Sequence, residues 1–223
     1  MKILSIRRGF ASDHSSTSYE FLAMDKPLSK KERSDVSRLS SRANPTARRV
    51  NFTYNVDGYD IPGGWEKLMA KYYDVMYREE YSWWTLVVAF DGNDDMYNKV
   101  RAYEFDGCDD LGVRVERSEQ RIIIEIHCVV EPEQHWNNDY YDDDSDYESE
   151  DTEGNNTTIA TGDYILDTLV QVRQQIILGN YGALYAVWEV YGLNDDSPIP
   201  PKPTAIASDA KTINDFKDML STI

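Results

Sequence analysis

The chain has 223 residues, 41% apolar and 12% aromatic, which is enough to bury a core without covalent staples and excludes a disordered or fibrous class. Its net charge of −17 is uneven: residues 1–50 carry 11 Lys/Arg against five acids, a balance of +6, and the remainder sums to −23. No run approaches the ~18 apolar residues that cross a bilayer, the start has no signal-peptide core, and Cys108 and Cys128 form neither a disulfide framework nor a metal knuckle. A single cytoplasmic domain spanning 1–223 is the expectation.

Lys2–Ile6 and Ser18–Met24 read as two strands joined by the polar loop Ala11–Ser16. Ser29-Lys30-Lys31-Glu32 is a capping box, which starts a helix running to about Ser41. Val50, Phe52, Tyr54 and Val56 alternate with polar residues in a third strand over Arg49–Val56, ended by Asp57-Gly58. After Pro62-Gly63-Gly64, the spacing of Trp65, Leu68, Met69, Tyr72, Tyr73 and Met76 predicts one helix of about four turns.

Trp83–Phe90 is apolar on both faces and is expected at the centre of the sheet. Gly112–Arg117 and Arg121–Val130 form a hairpin. Its second strand turns Ile122, Ile124, Ile126 and Cys128 inward, and Ile123, Glu125 and His127 to the other face.

The run Asp139–Asp151 cannot bury enough to offset its ordering entropy, so about 138–160 is expected to be a mobile acidic loop. A helix follows from about Asp163 to Leu178, with Leu166, Leu169, Val170, Arg173, Ile176 and Ile177 on one side and Gly179 ending it. Asn180 caps a second helix, a Pro-rich connector covers 197–204, and a short helix closes the chain over Asn214–Leu220. The order implies an α+β fold: an antiparallel or mixed sheet of about five to six strands, helices packed on it, and a helical C-terminal part.

Tyr19-Glu20-Phe21-Leu22-Ala23-Met24-Asp25-Lys26-Pro27-Leu28, with Leu39-Ser40-Ser41-Arg42-Ala43 and Leu178–Tyr185, resembles an uncharacterised bacterial family that opens with a YEFxAxDxPL block. No activity comes with that resemblance. It implies, by association with a SWIM zinc-finger neighbour, a partner that handles nucleic acid. Ile6–Gly9 with Ser15–Ser18 also resembles a serine-rich N-terminal hairpin of phage and bacterial proteins, where Asn stands in place of His14 and His in place of Tyr19 or Ser18, so no catalytic role carries over.

Asp13-His14-Ser15-Ser16 holds the residue types of a nucleophile and its base, but loop neighbours rarely have the geometry, and a structural or ligand-contact role is favoured. With Arg7 and Arg8 beside it, the turn could cradle an anion. His14, His127 and His135 are too scattered for a metal site, and the Asp57, Asp60 and Asp91–Asp95 carboxylates lack calcium-loop spacing, so turn roles are expected and no metal or cofactor is assigned.

Trp65, Tyr72, Tyr73, Trp83 and Trp84 read as core. Arg38, Arg42, Arg48 and Arg49 mark a contact surface for an anionic partner, a protein or a nucleic acid meeting the basic N-terminal third, unless that part docks on the acidic remainder of the same molecule. The function expected is a non-enzymatic binding or scaffold subunit of a bacterial cytoplasmic assembly. An enzyme using the Asp13–Ser16 loop is the alternative.

Overall fold

The structure, a computed structural model, describes residues 17–54, 60–80, 83–130, 161–193, 198–203 and 209–220. The expected Lys2–Ile6 strand, the serine-rich loop and the acidic segment 138–160 lie outside them. Within them the α+β class is observed, with seven strands rather than five or six, all antiparallel. The strands are β1 (Thr17–Leu22), β2 (Arg49–Tyr54), β3 (Val75–Glu80), β4 (Trp83–Asp91), β5 (Phe105–Asp106), β6 (Gly112–Ser118) and β7 (Arg121–Val129), in the order β2-β1-β3-β4-β7-β6-β5.

β4 takes the central place its two-sided apolar run requires, buried from Trp84 to Phe90. β7 departs from the expected half-buried pattern. Ile123 and Glu125 are buried along with Ile122 and Ile124, because helices lie on both faces of the sheet.

On one face α1 (Lys30–Ser37) and α2 (Glu66–Lys71) enclose a core of Tyr19, Phe21, Phe52, Met69, Tyr73 and Val87. Phe21 meets Phe52 edge-on at 5.8 Å between ring centres and tilts against Tyr73 at 5.3 Å, aromatic contacts that add to their area burial. On the other face α4 (Thr161–Ile177), α5 (Gly182–Tyr191) and α6 (Ala210–Met219) cover Leu86, Val88, Ile124, Ile126 and Cys128. No helix among the described residues is long and apolar enough to cross a membrane.

Local chemistry explains where these helices begin and end. Ser29 Oγ accepts from Glu32 N–H at 3.3 Å while Glu32 Oε2 accepts from Ser29 N–H at 2.7 Å, the reciprocal cap that starts α1. Gly179 ends α4 at φ +87°, a conformation costly for any residue with a Cβ. Asn180 N–H then donates to Gln175 O, and its side chain accepts from Gly182 N–H at 3.0 Å, while Tyr181 rather than the expected Asn180 stands at the N-cap of α5.

The four-turn helix expected from Trp65 to Met76 is not formed. α2 stops at Lys71, and Val75–Glu80 is strand β3, paired on both sides. Tyr73 and Met76 face the α1/α2 layer while Val75 and Tyr77 face the α4–α6 layer, so an apolar series that fits a helix also fits a strand covered on both faces. Asp74 decides between them, since its N–H donates to Leu22 O and its C=O accepts from Ala89 N–H, fixing the backbone between β1 and β4.

The expected Asp91–Asp95 turn is likewise corrected. Asn93 caps a helix, α3 (Asp94–Arg101), whose first-turn acids complement the helix dipole.

Glu79 stands opposite Trp84 and Ser18 across the strands, and burial pushes its carboxyl up from the ordinary 4.5. The fold therefore binds this proton more tightly than the unfolded chain does. Stability declines as pH rises from the ordinary value through the raised one and is level beyond it. Glu79→Gln is expected to raise the melting temperature at pH 7 and leave it unchanged or lower at pH 4; equal shifts at both pH values would contradict this origin.

Candidate functional site

At one end of the sheet four charged side chains from four chain segments, Asp25, Asp91, Arg121 and Arg173, gather around Asp74, which is 3% exposed. Asp74 Oδ2 accepts from the backbone N–H of Met24 at 2.6 Å and of Asp25 at 2.9 Å. Its Oδ1 accepts from Arg121 Nη2, which also donates to Tyr73 O at 2.6 Å. From the opposite face, Arg173 on α4 donates through Nε to Ala89 O at 2.8 Å, pairs with Asp25, and brings Nη2 to 3.7 Å from Asp74 Oδ1. Asp91 Oδ1 stands 3.8 Å from Arg121 Nη1.

Burying two guanidinium groups is costly unless carboxylates and carbonyls replace their hydration. Here each has both.

A cavity of about 180 Å³ opens beside this cluster, between the β1–α1 loop and the C-terminal end of α2. Asp74 and Arg121 contribute to its lining, Leu28 and Tyr72 supply apolar surface, and Lys26, Lys71 and Asp91 extend into solvent. Arg121 uses only one of its three nitrogens for hydrogen bonds: Nη2 makes two, Nε is buried with none, and Nη1 is too far from Asp91 for one.

Two further polar groups lie on the α1/α2 face. Tyr19 O–H donates to Asp60 Oδ1 at 2.7 Å and accepts from Arg78 Nε at 3.1 Å, while burial raises its phenol well above the ordinary range. On β7, His127 Nε2 lies 3.4 Å from Glu125 Oε2 without the alignment of a hydrogen bond. Burial, then the nearby Glu125 and Glu66 charges, push the Glu116 carboxyl up. No group of three or more His, Cys, Asp or Glu among the described residues could hold a metal ion.

The structure separates the four arginines grouped by sequence. Arg48 Nη1 donates to Ala23 O at 3.0 Å and Met24 O at 2.7 Å, and Arg49, on the other side of β2, donates to Glu20 Oε1 at 2.8 Å. Both serve this fold. Arg38 reaches Asp35 at 3.3 Å but stays 75% exposed, and Arg42 is exposed. Arg7, Arg8, His14, Ser15 and Ser16 lie outside the described residues. Of the expected aromatic core, Trp65, Tyr73 and Trp84 are buried, Tyr72 half-buried, and Trp83 is 44% exposed.

Asp74, Arg121 and Arg173 were not expected to meet. One signal was available: Arg173 falls within the apolar stripe of α4, where a charge requires a buried partner. Nothing local names that partner.

Removing the shared carboxylate leaves two guanidinium groups without it in the interior. Asp74→Ala is expected to cost about 3–5 kcal/mol in urea unfolding, with Asp74→Asn, which keeps an acceptor, costing less. A loss below about 1 kcal/mol in the alanine variant would mean that the cluster is solvated in solution. Comparisons of this chain with family models, with curated proteins and with solved structures give no match, so the functional reading rests on the residues themselves.

Proposed function

We propose that the protein is a non-enzymatic binding or scaffold subunit of a bacterial cytoplasmic assembly, and that α1 and the turn after it present its contact surface to an acidic protein partner. The observation that carries this reading is charge placed against the trend of the chain. Residues 26–49 hold eight basic and two acidic residues in a protein of net charge −17.

The structure narrows which of them are free to act. Lys30, Lys31, Arg38 and Arg42 are exposed around α1, whereas Arg48 and Arg49 are engaged within the fold. α1 is fastened by Val36, fully buried, and by the Ser29–Glu32 cap, so the basic side chains stand on a rigid support. A fixed surface of one sign speeds association with a complementary one and rejects like-charged partners.

Nucleic acid is the second anionic partner compatible with this charge; the family resemblance points, by association, to a partner that handles nucleic acid. The alternative of an enzyme working through Asp13, His14, Ser15 and Ser16 concerns residues the structure does not describe.

The test replaces Lys30, Lys31, Arg38 and Arg42 together with Gln and compares complexes co-purified with the full chain from its native cells. The variant is expected to melt within about 2 °C of the parent, since exposed substitutions change stability little, and to lose its stoichiometric protein partner. Retention of every complex would refute the surface. A steep fall in binding with salt, together with recovery of nucleic acid, would transfer the reading to the second partner. Alanine at Asp13, His14, Ser15 and Ser16, with the complex intact and the host phenotype lost, would favour the enzyme.

A further inference from the structure

We infer that the cavity beside Asp74 is a carboxylate pocket, in which Arg121 receives an acidic side chain of the partner; this rests on the α1 reading and names the anchor of the contact. The cavity adjoins the basic surface, because Lys26 of the β1–α1 loop and Glu32 in the first turn of α1 form part of its wall. An acidic segment lying along α1 therefore passes its mouth.

The Arg121 side chain is 15% exposed and fixed by Tyr73 O and Asp74, yet Nη1 and Nε make no hydrogen bond among the described residues. Nε is sealed from solvent, so the donor left for a ligand is Nη1, on a guanidinium that has already lost the orientational entropy binding would otherwise cost it. Nη1 has solvent-exposed Asp91 at 3.8 Å, close enough to attract but too far to hydrogen-bond. An entering carboxylate would take the position that Asp91 approaches and does not fill.

The surrounding acids do not close the pocket to a monoanion. Asp25 pairs with Arg173, Glu32 accepts from Ser29 N–H, and Asp74 is taken up by two N–H groups and Arg121, so their charge is largely matched. Lys71, exposed at the rim, has no ion pair among the described residues. A phosphate brings a second negative charge beside these acids and is disfavoured against a carboxylate for that reason. A cavity of about 180 Å³ with apolar Leu28 and Tyr72 in its wall suits the short aliphatic stem of an Asp or Glu.

The test titrates acetate into the isotope-labelled full chain at constant ionic strength, following the Arg121 side-chain N–H and the backbone amides of Tyr72 and Asp91 by NMR. Saturable shifts at these groups are expected. Asp91→Asn, which removes the competing carboxylate from an exposed position, is expected to tighten acetate up to about fivefold, and Lys71→Gln to weaken it up to about as much. Inorganic phosphate is expected to bind more weakly than acetate.

Absence of saturable shifts in both the parent and Asp91→Asn overturns the pocket, and tighter binding of phosphate overturns its assignment to carboxylates. Asp91 and Lys71 are exposed, so neither variant depends on the buried network to fold. If acetate binds while the four-Gln variant keeps every partner, the α1 reading fails and the pocket stands; if acetate does not bind while that variant loses its partner, the pocket alone fails.

Discussion

The carboxylate of Asp74 is the constraint on which the arrangement of layers depends. It takes two backbone N–H groups from the loop after β1, one guanidinium from β7 and the near approach of another from α4, so a single side chain links the two faces of the sheet. The backbone around it is held equally firmly between Leu22 and Ala89. Position 74 stands between the end of α2 at Lys71 and the start of β3 at Val75, where satisfying this buried acid outweighs the propensity of the apolar residues on either side.

An antiparallel sheet more often leaves one face to water. This one is covered unequally. α1 and α2 lie over the β1, β2 and β3 side, while α4, α5 and α6 lie over β4, β7 and β6. The polar residues fall where cover is thin: Glu20, Arg49 and Tyr77 O–H interact on one face, and Glu125, His127 and Glu116 gather on the other. The offset lets a seven-stranded sheet carry ionised side chains close to its middle without leaving them wholly dry.

Features set by a few adjacent residues were legible in the sequence: the Ser29–Glu32 cap, the two-sided strand β4, the β6–β7 hairpin and the glycine that ends α4. What failed was periodicity under double burial. Tyr73, Val75, Met76 and Tyr77 are all buried, so the helical spacing that predicts one helix to Met76 fits a strand covered on both faces equally well. α3 escaped because its face is polar and only Val100 is fully buried. The charged cluster was illegible for a different reason: Asp74, Arg121 and Arg173 come from distant parts of the chain, and their pairing is a property of topology. Arg48 and Arg49 carry the complementary lesson, since neighbours counted together as one basic patch point to opposite sides of a strand.

The two thiols, paired with nothing, sit at opposite extremes of this architecture. Cys108 is exposed in the turn before β6, whereas Cys128 is fully buried in β7 beneath the C-terminal helices, and burial raises its pKa far above the ordinary thiol range. Only a thiolate attacks electrophiles at a useful rate, so Cys128 is inert until the layer of α4, α5 and α6 lifts away from the sheet. The molecule thereby carries its own clock for that motion: with Cys108 blocked, the rate at which an alkylating reagent labels Cys128 measures how often the helical layer detaches, independently of anything the opposite face does.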